Sequence, residues 1–323
     1  MFGDTIGIDL GSSFVRIYMK GQGVLLCEST VAAVEGGNVI SAGNTAAEIC
    51  GRAPKNIKAV HPVQNAVISD ADTAEKIIRY FIKKACGNRL FKPSGIISVP
   101  GEISAVCENA LISAAEGAGM KNVELCDVPI AAAIGAGVNI MKPRGTFICD
   151  VGSGCSDIAV ISAGGIVISS LTKTAGDSFD KVIADYIKNE KHIEIGKKTA
   201  ESVKAALSRS EKINVRGRCL YEGLPKKAET DAEELIPVIR AKAMEIVFEI
   251  IEVLKKTPPG LLNDISDDGI ILCGGSANLA LLPEMIEEYT GIKCIVPERN
   301  GECVINGIGK MIENGAEEIE KAN

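Results

Sequence analysis

The sequence has no run of about 18 or more uninterrupted apolar residues, so no membrane-spanning helix is expected. It has no Cys-x-x-Cys pair, although it carries 11 cysteines. Only two histidines, His61 and His192, could join those thiols at a metal, so no zinc site is expected. Scattered thiols of this kind read as a reduced, mostly buried set in a cytosolic protein. There is no excess of base either: 35 Lys and Arg stand against 42 Asp and Glu, a net charge of −7. That balance argues against a nucleic-acid footprint. The N-terminal MFGDTIGIDLG runs straight into a patterned hairpin, so no signal peptide is expected. What is present is a 46% hydrophobic chain of 323 residues, enough for full cores and long enough for two domains.

The most informative stretch is Phe147 to Ile161, FICDVGSGCSDIAVI. An apolar run reaches Asp150, a turn follows at Gly152, Ser153 and Gly154, and a second apolar run leads away from Ile158. This is the pattern of a strand, a tight turn and a returning strand. A carboxylate at the end of a buried strand needs a cation to meet it. Glycines leave backbone N–H groups uncovered, and such groups form anion-binding concavities. The combination suits Mg²⁺ and phosphate. The same pattern occurs at Ile6 to Met19, IGIDLGSSFVRIYM, with Asp9 ending the run and Gly11, Ser12 and Ser13 making the turn. Two copies, one opening each half of the chain, point to two related α/β domains clamping one nucleotide.

Between the hairpins, alternating strands at 23–34 lead into a Gly-, Ala-, Asn- and Pro-rich region at 35–70 that suits a small inserted subdomain. Asp72 and Glu75 read as a cap pair opening a helix with Ile77, Ile78, Tyr80, Phe81 and Ala85 on its apolar face and Gly87 as its stop. Ile96 to Val99 reads as a buried strand. Ile103, Val106, Cys107, Ala110, Leu111 and Ala114 have helical spacing. Pro129 opens a helix of small residues, PIAAAIGAGVNI, which permits close backbone packing. In the second half, helices are expected after Gly176, over 199–210, from Thr230 to before Pro258, and over 283–289 closed by Gly291. Residues 211–230 read as a basic strand region, and Ile270 to Cys273 as a strand entering a third glycine turn, Gly274-Gly275-Ser276. Val304 to Ile312 suits a final helix returning to the first domain.

With these features placed, the chain resembles the MreB family of bacterial actins, within the superfamily of actin, heat-shock chaperones and sugar kinases. The resemblance runs through IGIDLGSS, PIAAAIGAG at 129–137, CDVGSG at 149–154, VRGRCLYEGLPK at 215–226, KTPP at 256–259 and LCGGSANL at 272–279. It implies an actin-like ATPase fold: domain I at 1–142 with a small subdomain near 30–72, domain II at 143–302 with a small subdomain near 178–242, and 303–323 returning to domain I. Carried over by position, Asp9 and Asp150 face the metal through water. Gly11, Ser12, Ser13, Gly152, Ser153 and Gly154 hold the phosphates. Glu201 and Lys204, three apart on one helix face, lie beside the ribose. Gly274 and Gly275 pass under the adenine and α-phosphate. The implied ligands are ATP or ADP with Mg²⁺.

Three positions depart from the family pattern. Val128 stands where the family has a water-orienting Glu before proline, Cys155 where it has Thr, and Phe14 where it has a polar residue. Valine can neither orient water nor take a proton, so slow hydrolysis at most is expected, with Asp127 or Asp157 as substitute candidates. The resemblance further implies cytoplasmic filaments of the chain itself at the inner face of the cell membrane. Leu90 and Phe91 would enter lipid, with cell-wall elongation machinery as partner and cell shape as the outcome. A nucleotide-responsive adaptor that binds partners without polymerising is the alternative reading.

Overall fold

The computed structural model describes residues 4–49, 52, 54–64, 67–68, 71–87 and 91–314. The first half opens with three antiparallel strands, β1 (Thr5–Leu10), β2 (Phe14–Met19) and β3 (Gly23–Ser29). An insert follows: β4 (Ala32–Glu35), β5 (Asn38–Ala42), α1 (Asn44–Ile49), β6 (Ile57–Val60), β7 (Val63–Gln64) and β8 (Val67–Ile68). Its β5, β4 and β6 form a small sheet of their own. The chain then returns through α2 (Ala71–Cys86), β9 (Ser94–Val99), α3 (Ala105–Gly117), β10 (Lys121–Asp127) and α4 (Val128–Gly135).

The second half repeats the plan. β11 (Thr146–Val151), β12 (Ser156–Ser162) and β13 (Gly165–Thr172) are antiparallel and lead to α5 (Gly176–Glu190). An insert of β14 (Ile193–Glu194), α6 (Lys197–Ala206), β15 (Lys212–Cys219) and β16 (Pro225–Asp231) carries a three-stranded sheet. Then come α7 (Ala232–Lys256), α8 (Pro259–Asp268), β17 (Ile270–Cys273), α9 (Leu281–Thr290), β18 (Cys294–Ile295) and α10 (Cys303–Asn314). The two main sheets run β3-β2-β1-β9-β10 and β13-β12-β11-β17-β18. In both, two antiparallel pairings are followed by two parallel ones. Parallel pairing requires crossovers, which the helices supply, and each sheet is covered by them.

Each half has its own core. Ile6, Ile8, Ile17 and Phe81 anchor the first, and Phe147, Phe179, Ile183 and Ile246 the second. Full burial of such side chains contributes about 1.5–3 kcal/mol each. A third apolar cluster joins them, built from Ala131, Ala132 and Ala133 of α4, Ile308 and Ile312 of α10, and Ile148 and Ile161 of the second sheet. Here the small residues of α4 serve close packing. A Cβ at Gly135 would collide with the Cys303 carbonyl, and one at Gly307 with the Ala131 carbonyl. α10 also lies on the first sheet, where Tyr18 donates to Glu313 at 3.0 Å.

Several local expectations change. Val106 is 77% exposed, because α3 turns Leu111, Ala114 and Ala115 inward instead. Asp72 sits in the first turn of α2, which begins at Ala71, and Glu75 accepts from Arg79 rather than closing a cap pair. The helix expected over 199–210 starts and ends earlier, as α6. α8 was not legible as a helix: Pro258 and Pro259 mark its entry, at the cap and first helical positions where proline is tolerated. None of the described cysteines is in a disulfide, and most are buried.

Candidate functional site

The two glycine turns are built alike. In the first, the Gly11 N–H donates to the Phe14 carbonyl at 3.0 Å; in the second, Gly152 donates to Cys155 at 3.0 Å. Within the described residues, the N–H groups of Ser12, Ser13, Ser153 and Gly154 have no partner. Carbonyls of the second turn are turned away and tied down: Gly152 accepts from Gly176 at 3.1 Å and from the Ser276 hydroxyl at 2.7 Å, and Ser153 accepts from Asp177 at 2.8 Å. The second turn, with these two carbonyls occupied, therefore presents chiefly donors to whatever lies between the turns. What lies between them is a single cavity of about 780 Å³. That volume falls in the range of small-molecule sites.

Register fixes the charges beside each turn. Asp9 is the cross-strand partner of Arg16, and Asp150 that of Asp157. Arg16 Nη1 lies 3.2 Å from Asp9 Oδ2, and the Ser98 hydroxyl donates to Asp9 Oδ1 at 3.1 Å. Burial nevertheless pushes the Asp9 carboxyl up, against the pull of Arg16 and Ser98. Asp150 opens partly onto the cavity, yet its carboxyl is driven well above the usual range by burial, then by Asp157 and Asp9. Asp157 is 3% exposed and is pushed up to about 7, chiefly by burial, although it accepts from the Gly101 N–H at 2.9 Å. Cys155 lies beside it, Sγ to Oδ2 3.8 Å, and its thiol is raised by burial and by that carboxylate. Carboxyls held this way gain from an added cation.

The third glycine turn closes the floor. Gly274 has φ +87, and a Cβ there would strike the Val151 backbone, so the chain can pass only as glycine. Its N–H is held by the Asn300 carbonyl at 3.0 Å. On the far wall, Lys204 does not reach for Glu201 but is held by Asp180 at 2.8 Å and the Gly176 carbonyl at 3.0 Å, which fastens α6 to the start of α5. The halves also touch directly. Lys198 donates to the Ala47 carbonyl at 2.6 Å on one side, and Ser169 donates to Glu102 at 2.9 Å on another.

The structure brings Asp9, Gly11, Ser12, Ser13, Asp150, Gly152, Ser153, Gly154, Glu201, Lys204, Gly274 and Gly275 to the wall of this one cavity. Val128, Cys155 and Phe14, the three departures, line it as well. Asp157 does, whereas Asp127 does not; it precedes α4, and burial and Glu108 raise its carboxyl. Phe91 lies outside the cavity and is 52% exposed, and Leu90 falls outside the described residues. Sequence reasoning missed Arg16 and Ser98. The signal for Arg16 was available, since a turn pairing Leu10 with Val15 also pairs Asp9 with Arg16.

These residues fit a nucleotide and its metal. The free N–H groups of the two turns suit phosphate oxygens, and the raised carboxyls suit a cation. Among the described residues no group of three or more His, Cys, Asp or Glu could hold a metal by itself. Mg²⁺, which is commonly held by one or two carboxylates together with phosphates, matches that donor set.

Two related α/β halves closing on one cavity, each presenting an Asp–Gly hairpin, define the actin-like fold. A crystal structure of MreB5 from Spiroplasma citri bound to AMPPNP superposes with a TM-score of 0.93 at 30% identity, covering 100% of both chains. The Mbl cell shape-determining protein of Bacillus subtilis (strain 168) is 40% identical over 323 residues, covering 97% of each chain. The cell shape-determining protein MreB of Escherichia coli (strain K12) is 36% identical, covering 97% of this chain and 94% of its own. The MreB/Mbl protein family model matches residues 3–320, and the chain belongs to that family.

Proposed function

We propose that this chain is an ATP-binding, filament-forming cytoskeletal protein that works at the inner face of the cell membrane in cell shape and wall synthesis. The observation that carries the reading is the pair of matching hairpins with free turn N–H groups facing one cavity, in a chain of the MreB/Mbl family. Residues 1–142 and 143–302 act as the two jaws, with α10 fastening the second to the first. Asp9 and Asp150 would hold Mg²⁺, the two turns would hold the phosphates, Glu201 and Lys204 would flank the ribose, and Gly274 and Gly275 would underlie the adenine. Bound Mg²⁺ supplies charge neutralisation of the phosphates. The chain's own contribution is orientation: Lys204, fixed by Asp180, sets the wall, and the Gly101–Asp157 bond holds the halves at one spacing.

Hydrolysis is slow in this reading, because Val128 occupies the wall position where the family carries its water-orienting carboxylate. Of the substitute candidates, Asp157 lines the cavity, although largely buried, and Asp127 does not. Leu90 and Phe91 form the lipid contact. Exposure of Phe91 supports this, and Lys83 and Lys92 are exposed nearby, while Lys84 is engaged by Glu28. Pelleting with ATP, ADP and anionic liposomes tests the whole reading. Filaments that form with ATP and carry liposomes down are expected. Nucleotide binding without pelleting would assign the adaptor role instead.

A further inference from the structure

Several cationic side chains line the cavity, Arg16, Arg52, Lys197, Lys198 and Lys204 among them. Lys197 is paired with Asp177 at 3.0 Å, Lys198 with the Ala47 carbonyl and Lys204 with Asp180. Among the described ion pairs of the cavity's cations, only that of Arg16 is with a hairpin carboxylate, Asp9. Arg16 sits on the face of β2 opposite the core, since Val15, Ile17 and Met19 are the buried residues of that strand. Its guanidinium also reaches the other half: a Cβ at Gly301 would lie 4.0 Å from Arg16 Nη2 and 3.7 Å from the Gly275 Cα. The Phe14 ring, 5.8 Å from the guanidinium carbon, braces it from the remaining side.

We propose that Arg16 is a phosphate-binding residue whose guanidinium exchanges Asp9 for the nucleotide's phosphate oxygens when a metal–nucleotide enters. The proposal rests on the nucleotide reading given above. Its argument is charge. Asp9, Asp150 and Asp157 crowd the space between the turns, and a polyphosphate brings further negative charge to it. Asp9 would have another cation beside it once a metal arrives with the nucleotide. The guanidinium is thereby released beside the first turn, with several N–H donors in a planar fork that matches phosphate oxygens. The place where the family has a polar side chain is filled by Phe14, and the neighbouring outward position of the same strand, Arg16, supplies the polar contact instead.

Calorimetry with ATP, ADP and adenosine tests this on wild type, Arg16→Leu and Arg16→Lys, all in excess Mg²⁺. A charge-assisted bond lost in Arg16→Leu weakens ATP and ADP roughly 10- to 100-fold, while adenosine affinity stays at the wild-type value. Arg16→Lys recovers part of the loss. Unchanged ATP and ADP affinity in Arg16→Leu, or an equal loss for adenosine, overturns the assignment. A wild type that binds neither nucleotide overturns the nucleotide reading itself, and this inference with it. Should Arg16→Leu fail to fold because Asp9 loses its partner, Arg16→Gln keeps a donor for Asp9 and carries the same expectations. In the unmutated chain, the guanidinium N–H resonance of Arg16 should shift on adding Mg-ATP and stay in place with adenosine; no shift with Mg-ATP overturns the exchange.

Discussion

Asp150 and Asp157 face each other as cross-strand partners in β11 and β12, at the point where the equivalent hairpin of the first half pairs Asp9 with Arg16. One hairpin neutralises its carboxylate internally, and the other sets two carboxylates side by side. Like charges placed directly opposite in a sheet are destabilising. Burial and this pairing raise the Asp150 carboxyl, and burial raises that of Asp157 to about 7.

The pair gives stability a pH dependence. The folded chain holds the Asp157 proton more tightly than the unfolded chain, whose carboxyl titrates near 3.8. As pH rises from about 4 to about 7, this group makes folding progressively less favourable, and above that range its full cost is present. Asp157→Asn keeps an acceptor for the Gly101 N–H and removes the charge. Its melting temperature relative to wild type should be higher at pH 8 than at pH 5. An equal difference at both values would mean that Asp157 does not titrate with folding.

Asp150→Ala should weaken Mg-ATP binding about 10- to 100-fold, the scale of losing a group that orients a metal through its outer ligands. The variant removes one of two facing carboxylates, so its fold should be no less stable near neutral pH. Calorimetry reads the first effect and thermal melting the second. Wild-type affinity for Mg-ATP in this variant would remove Asp150 from the site.

Val128 lines the cavity at the head of α4, and a longer acidic side chain there can project into it. Val128→Glu should raise the single-turnover rate of ATP hydrolysis about 10²-fold, the low end of a positioned acid–base group. A wild-type rate already as fast as that of the variant would show that another group, with Asp157 at the cavity wall the first candidate, already orients the water.

Lipid binding should depend on polymerisation. Burying Leu90 and Phe91 contributes roughly 1.5–3 kcal/mol each, and exposed cations add about 1 kcal/mol each at an anionic surface. One copy therefore binds weakly, and a row of copies binds well through avidity. A Leu90→Ser/Phe91→Ser variant should polymerise with ATP but stay behind when anionic liposomes are pelleted. Co-sedimentation equal to wild type would place the anchor elsewhere.

Much of the site was legible because its signals are local. An apolar run, a carboxylate and a glycine turn sit within a few residues at Asp9 and at Asp150, and an apolar run enters a glycine turn at Gly274, so each could be read singly and matched to the others. What was not legible depends on partners far along the chain. Glu201 and Lys204 look like a pair at helical spacing, yet Lys204 bonds Asp180 because α6 packs on α5. Val106 fits a helical face by spacing, but α3 leaves the first turn of that face in solvent. The pair Gly101 and Asp157, 56 residues apart, forms only where the halves meet.

The glycine contact between α4 and α10 has a bearing on synthesis. Gly7 on β1 packs against Ile308, Tyr18 on β2 bonds Glu313, and the Ala131 backbone meets Gly307. The first sheet is thus covered by a helix that leaves the ribosome only after the entire second half. Chains build domain by domain from the N-terminus at about 5–20 residues per second. On that clock the early sheet waits on the order of ten seconds or more with one face bare. A nascent chain stalled before Cys303 would present that face to chaperones, and release of α10 would be the event that ends their hold.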